Sequence, residues 1–176
     1  MRARVVPAEM KGERMSRSIK FAVAAVTVVA MFVLAGPALA GSAKFHSATS
    51  SVNSAGALVV QWDQRGLGEG DINYTLDADA TALYACINKG GHNPDAANKQ
   101  SFEGAVTAGG TFEAKNGRVQ GTLTAGPLPA PDFTCPGGQR RVLSSVTYTN
   151  IVLCDTTNNV CTDVPDTSRV LFPIPD

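Results

Sequence analysis

Residues 109–125 read GGTFEAKNGRVQGTLTA, and no other stretch constrains the fold as tightly. Asn116–Gly117 is the pair that a two-residue type I′ turn prefers, because both central residues of that turn need positive φ. Flanking it are two runs of alternating polar and apolar character. Together they predict a strand ending at Lys115 and another starting at Arg118. The same period of two recurs throughout the chain after Gly41. ALVVQWDQ places Leu58, Val60 and Trp62 on one face, which makes Trp62 a core anchor rather than an exposed platform for a sugar. DINYTLDA sets Ile72, Tyr74 and Leu76 against Asn73, Thr75 and Asp77, and ATALYACIN continues in the same chemistry. RRVLSSVTYTNIVLCD predicts a long strand from Arg141 to Asp155. Val142, Val146, Tyr148 and Val152 would lie on one side of it, and Leu143, Ile151 and Leu153 on the other.

No 3.6-residue period competes with this pattern. About seven to nine strands without a helix predict an all-β fold, an antiparallel two-sheet sandwich of the immunoglobulin-like kind. A small closed barrel is the alternative. GPLPAPDFTCPGG, residues 126–138, is read as a loop, because its four prolines cannot donate to a ladder. The predicted sandwich covers residues 41–165 as a single domain. Residues 166–176 are expected to be an irregular Pro-rich tail.

The first 40 residues read as a secretory signal. Arg14, Arg17 and Lys20 precede the uncharged run FAVAAVTVVAMFVLA, and small residues at Ala38 and Ala40 supply an A-x-A cleavage pattern. Met10 and Met15 stand as alternative starts. The apolar run falls short of the roughly 20 residues a membrane span needs, and no later stretch reaches that length. A secreted or envelope-associated chain beginning at Gly41 is therefore expected, with no membrane span in its mature part. Six of the 15 basic residues and two of the 15 acidic ones lie before Gly41, so the remainder is net acidic. Its basic residues are not clustered in sequence. Nucleic acid is thus not an expected partner, since phosphate binding needs grouped Lys and Arg.

All four cysteines, Cys86, Cys135, Cys154 and Cys161, follow Gly41. An even count in an exported chain argues for disulfides, and no Cys-x-x-Cys spacing suggests zinc. CDTTNNVC sets Cys154 and Cys161 symmetrically about a turn, facing each other on a hairpin. That leaves Cys86 for Cys135.

YACINKGGHNPDAANKQ, KNGRVQGTLT, DFTCPGGQ and VLSSVTYTNIVLCDTTN together resemble a group of small exported bacterial β-rich proteins with no assigned biochemical function. The shared pattern is a Cys-x-Asn (Cys86–Asn88), a glycine-rich loop with Ala-Ala-Asn-Lys (Ala96–Lys99), a Cys-Pro-x-Gly-Gln (Cys135–Gln139) and a Ser-Val-x-Tyr-x-Asn (Ser145–Asn150). The resemblance implies that Cys86–Cys135 is the bridge common to the group and that Cys154–Cys161 is an addition of this chain. It transfers no catalytic residue.

The residues themselves point away from catalysis. Only His46 and His92 follow Gly41, with neither a Gly-x-Ser-x-Gly elbow nor a His-Glu-x-x-His motif. Asp77 and Asp79 share one strand face and read as solvated residues rather than a cation site. No catalytic residue, metal or cofactor is expected. The best binding candidates lie on the long polar loop after Cys86, namely Asn88, His92, Asn93, Asp95, Asn98 and Lys99, since unstructured loops of this length are often functional. The reading is a non-catalytic exported binding or surface-interaction module, with an envelope glycan or another extracellular protein as partner. The alternatives are a small hydrolase or metal-dependent enzyme using His92 and Asp95, and a structural protein of the envelope or matrix.

Overall fold

The computed structural model describes residues 42–88 and 98–174, all within the unit Gly36–Asp176. It is all-β, with eight strands in two antiparallel sheets. The strands are β1 (Lys44–Val52), β2 (Leu58–Arg65), β3 (Gly70–Asn88), β4 (Lys99–Ala114), β5 (Arg118–Ala125), β6 (Gln139–Asp155), β7 (Val160–Val164) and β8 (Thr167–Val170). One sheet has the order β1-β2-β5. The other runs β4-β3-β6-β7, and β8 also pairs with β6. In a constant-type immunoglobulin sandwich the fourth strand joins the first, second and fifth. Here β4 has moved to the β3 sheet.

The Asn116–Gly117 turn forms as expected. Both residues have positive φ (53° and 72°), and Lys115 and Arg118 exchange both backbone hydrogen bonds. The pairing stops at that single bridge. β4 continues on β3 and β5 on β2, so the turn joins the edges of two different sheets rather than the arms of one hairpin.

The two runs DINYTLDA and ATALYACIN form one strand of 19 residues. Its even-numbered positions from Ile72 to Tyr84 are buried, as a single period-two face requires. β6 breaks its alternation twice. Its register against β3 shifts between Asp77 and Asp79 and again between Leu83 and Tyr84. At the first shift Asn150 adopts φ of 50° and donates to the Asp79 carboxylate at 2.8 Å. That extra residue puts Tyr148, Ile151 and Leu153 all on the buried face. The expected opposition of Tyr148 to Ile151 and Leu153 is therefore wrong, because strict alternation does not survive a bulge.

The tail differs as well. Thr167–Val170, expected to be irregular, forms β8 against Ser145–Tyr148. Pro165 ends β7, and the β-branched Thr167 and Val170 then find the same edge of β6 further along. Ser144 fixes the two residues after β8, accepting on its carbonyl the amides of Leu171 and Phe172. On this side the sheets are also tied by hydrogen bonds. Ser50 Oγ donates to the Pro165 carbonyl, and Arg169 Nη1 to the Val52 carbonyl at 2.9 Å.

The sheets differ in length. β3 runs for 19 residues, whereas its facing strand β2 has 8. Beyond the reach of the short sheet, the loop 126–138 supplies the second layer. Leu128, Ala130 and Phe133 join the core, Tyr84 Oη donates to the Leu128 carbonyl at 2.6 Å, and Arg141 donates to the carbonyls of Ala130 and Phe133. Phe102 meets both Tyr84 and Phe133 edge-on. Cys86–Cys135 anchors the loop to the end of β3, and Cys154–Cys161 bridges directly opposed positions of β6 and β7. Both pairings are as expected. They suit an oxidising compartment. No helix among the described residues is long and apolar enough to cross a membrane.

Closing a loop of 49 residues constrains the unfolded chain by about 4 kcal/mol, against about 2.4 kcal/mol for one of 7. Cys86→Ser/Cys135→Ser should accordingly lower stability in urea more than Cys154→Ser/Cys161→Ser does. Amide exchange should rise first in residues 126–138.

Candidate functional site

Two parts of the surface collect polar chemistry. The first is the end of the long sheet, where the sequence places its candidates. His92, Asn93 and Asp95 lie outside the described residues. Asn88 ends β3 opposite Gln139, Lys99 opens β4 opposite Ala85, and Asn98 Nδ2 donates to Gln139 Oε1 at 3.4 Å. The β3–β4 and β3–β6 pairings thus bring Asn88, Asn98 and Lys99 together beside the Cys86–Cys135 bridge. No group of three His, Cys, Asp or Glu side chains suited to a metal occurs among the described residues. Asp79 instead accepts from Asn150, and His46 is exposed beside a register shift of the edge strand β1.

The second lies where β4 and β5 part after the Asn116–Gly117 turn. Two neighbouring depressions of about 410 and 420 Å³ share Phe112 and Gln120. Glu113, Lys115, Arg118 and Val119 line one, and Gln61, Trp62, Gly121 and Thr122 the other. Gln61 pairs with Thr122 and Trp62 with Gly121 across β2 and β5. The amides and the hydroxyl therefore stand on the outer face, and the indole on the inner one. Gly121 is what brings the two together. A Cβ there would lie 2.3 Å from Trp62 Cζ2, so the indole occupies the space a side chain would fill at this sheet edge.

Trp62 is 4 % exposed, in keeping with its reading as a core anchor. Its ring centroid is 4.8 Å from that of Tyr74 and 5.0 Å from that of Phe112. Trp62 Nε1 is buried without a hydrogen-bond partner. Tyr74 Oη spends its own proton on Gln64 Oε1 at 2.6 Å. The indole N–H draws on that phenol oxygen electrostatically without reaching hydrogen-bond geometry. Burial pushes the Tyr74 phenol up to about 12, with the Trp62 N–H opposing and the Asp155 carboxylate adding to the rise.

Gln64 and Asp155 extend this contact into a buried network between the sheets. Gln64 Nε2 donates to Asp155 Oδ2 at 2.9 Å. The Asn158 backbone N–H and side-chain Nδ2 donate to the same carboxylate at 2.9 and 2.7 Å. Asp155 is fully buried, and these three donors compensate its lost hydration. The network fixes β2 against β3 and so sets the depth at which Trp62 sits.

A row of cations crosses the short sheet and reaches the first depression at Arg118. Lys44 pairs with Arg65, and Arg65 with Arg118, across the three strands of the short sheet. Like charges directly opposite repel, and Asp63 resolves the conflict. Its carboxylate accepts from Arg118 Nε and Nη2 at 2.6 and 2.9 Å, and from Arg65 Nη2 and Nε at 2.9 and 3.2 Å. The Arg118 and Arg65 guanidinium groups hold the Asp63 carboxyl at about 2. One carboxylate thus keeps two arginines fixed, while Lys44 and Lys115 add positive charge nearby.

Sequence reasoning placed no residue of this second site. Its signal is non-local. WDQR shows Asp63 and Arg65 on one face, but Arg118 and Gln120 become their neighbours only when β5 pairs with β2. Comparison with protein-family models, with curated proteins and with solved structures finds no match to this chain.

Two outcomes test this geometry. Gly121→Ala should destabilise the domain by about 1–3 kcal/mol through overpacking, measured by urea unfolding, and should shift the tryptophan fluorescence. The folded Asp63 carboxyl titrates at about 2, below its ordinary 3.8. The unfolded chain therefore binds a proton first as the pH falls. Stability from this cluster is complete above about pH 4 and is lost towards pH 2, so the gap between wild type and Asp63→Asn should narrow over that window.

Proposed function

We propose that this chain is an exported, non-catalytic binding module whose ligand is a glycan polymer of the cell envelope. The observation that carries the reading is the paired depression at the β4–β5 parting. It sets Phe112 and the rim of the nearly buried Trp62 beside the amides of Gln61 and Gln120 and the hydroxyl of Thr122. An apolar floor with a few placed donors and acceptors matches a sugar ring, which offers C–H faces and hydroxyl rims. The shallow form suits a chain that passes over the surface rather than a small molecule enclosed by it. Arg118 and Lys115 in the lining, with Arg65 and Lys44 following Arg118 across the short sheet, favour a polymer carrying carboxylate or phosphate substituents. Export is supported by the leader-like first 40 residues, by the two disulfides and by the resemblance to small exported bacterial proteins.

The long-sheet end offers a second location for the same activity, since Asn88, Asn98, Lys99 and Gln139 meet there. Retention of the oxidised protein on insoluble peptidoglycan, chitin and cellulose separates the two. Gln61→Ala/Gln120→Ala/Thr122→Ala should abolish retention without moving the thermal melt, while Asn88→Ala/Asn98→Ala should leave it intact. The reverse pattern would move the site to the loop end. Failure of the wild type to bind any envelope polysaccharide would end the glycan reading.

A further inference from the structure

The outer face of the short sheet carries its charge at one end. Its first cross-strand row is Lys44–Arg65–Arg118 and its second Ser47–Asp63–Gln120, and the rows beyond hold only Ser, Thr, Gln and Val. Asp63 is therefore the single acid on a face with three cations. It binds Arg65 and Arg118, through Nε and Nη2 of each. Nothing comparable serves the β1 side of the row. Neither the Lys44 nor the His46 side chain has a hydrogen-bond or ion-pair partner among the described residues. Lys44 thus stands directly opposite a like charge, with no acid of its own.

Lys44, Phe45, His46 and Arg65 line a hollow of about 220 Å³. We infer that this hollow is a binding site for a phosphate group. Two of its walls are held from outside it. Phe45 pairs with Gln64 and meets the buried Tyr74 edge-on at 6.4 Å, so the core fixes its ring. Asp63 takes Nε and Nη2 of Arg65 and leaves Nη1 to donate elsewhere. The register shift between Phe45 and Ser47 leaves His46 without a cross-strand partner, and its ring serves the hollow instead. Lys44 then supplies an ammonium, Arg65 a guanidinium edge and His46 at least one ring N–H in either protonation state. Donors from three separate side chains suit the tetrahedral oxygens of a phosphate better than the two coplanar oxygens of a carboxylate. The hollow is smaller than the roughly 300 Å³ at which pockets for drug-sized ligands begin, which fits a small anionic group. An anion there offsets the Lys44–Arg65 repulsion that Asp63 does not reach.

None of these four residues lines the two depressions of the glycan reading. Arg65 stands one strand, about 4.8 Å, from Arg118 of the first depression. A phosphate carried by an envelope polymer and a free phosphate present the same group to the hollow. The inference goes beyond the glycan reading and does not need it, because phosphate binding is measured in solution and apart from retention on neutral polysaccharide.

Backbone amide shifts of the oxidised, isotope-labelled protein, followed by NMR at constant ionic strength, test it. Inorganic phosphate should give saturable shifts centred on residues 44–46 and 65, and chloride should give none. Lys44→Gln/His46→Gln should weaken phosphate binding about tenfold or more, since charge-assisted hydrogen bonds are lost. Lys115→Gln, which removes a cation outside the hollow, should leave it within about twofold. Thermal melts confirm that both variants are folded. Dimethyl phosphate separates the sources: equal affinity points to a diester within a polymer, and weaker affinity to a free or terminal phosphate. Three results overturn the inference. They are shifts that chloride reproduces, acetate binding as tightly as phosphate, and an affinity unchanged by Lys44→Gln/His46→Gln.

Discussion

Burial of the inner face of β3 is the constraint on which the rest of the molecule depends. From Ile72 to Tyr84 every second residue of that strand points into the core, over a length that the short sheet cannot match. Two covers share the work. Leu58, Val60, Trp62 and Gln64 of β2 meet the first half, and Leu128, Ala130 and Phe133 of the proline-rich loop meet the second. A loop is a poor cover by itself, because its backbone polar groups have no ladder to satisfy them. Tyr84 and Arg141 supply the missing donors for the Leu128, Ala130 and Phe133 carbonyls, and Cys86–Cys135 holds the loop at the required distance. The prolines then help, since a chain with fewer conformations when unfolded loses less on being fixed.

Polar groups align the halves as firmly as apolar ones. The Tyr74–Gln64–Asp155–Asn158 chain crosses the core with its carboxylate fully buried and bonded to three donors. Such a network specifies one arrangement of the sheets, because a displaced β2 would strand a carboxylate in an apolar interior. Asp63 does the corresponding task on the outside, converting two mutually repelling arginines into a rigid cationic row. The candidate surface is thus positioned from both faces of the same short strand, β2.

The sequence carried the fold class because strand periodicity, turn chemistry and cysteine spacing are local signals. Asn116–Gly117, the run from Ile72 to Leu76 and the facing pair Cys154 and Cys161 could each be read without knowing the partner strand. What was not legible depends on distant pairing. The turn at Asn116–Gly117 looks like a hairpin and is a crossing between sheets, because β3 and β2 compete more successfully for the strands on either side. Asn150 gives no sign in the sequence that it will take a left-handed conformation and reverse the alternation of β6. Thr167–Val170 is too short to announce itself beside three prolines. The candidate site is least legible of all. Asn88, Asn98 and Lys99 are close in the sequence to Cys86, and the β3–β4 and β3–β6 pairings set them at one end of the long sheet. Gln61, Phe112, Gln120 and Arg118, by contrast, are neighbours only through β2–β5 pairing and the parting of β4 from β5.

The two long sides of the sandwich are built differently. Along β1, hydrogen bonds from Ser50 and Arg169 stitch the sheets together. Along β4 and β5 the sheets are joined by a single two-residue turn and, beyond the Lys115–Arg118 bridge, by side-chain packing rather than by backbone pairing. The domain is shaped like a book, with a bound spine and an open fore-edge. On the fore-edge side it is side-chain packing, Trp62 of one cover against Phe112 of the other at 5.0 Å between ring centroids, that holds the covers together. A surface patch there is therefore made by both covers together, and neither sheet alone presents it.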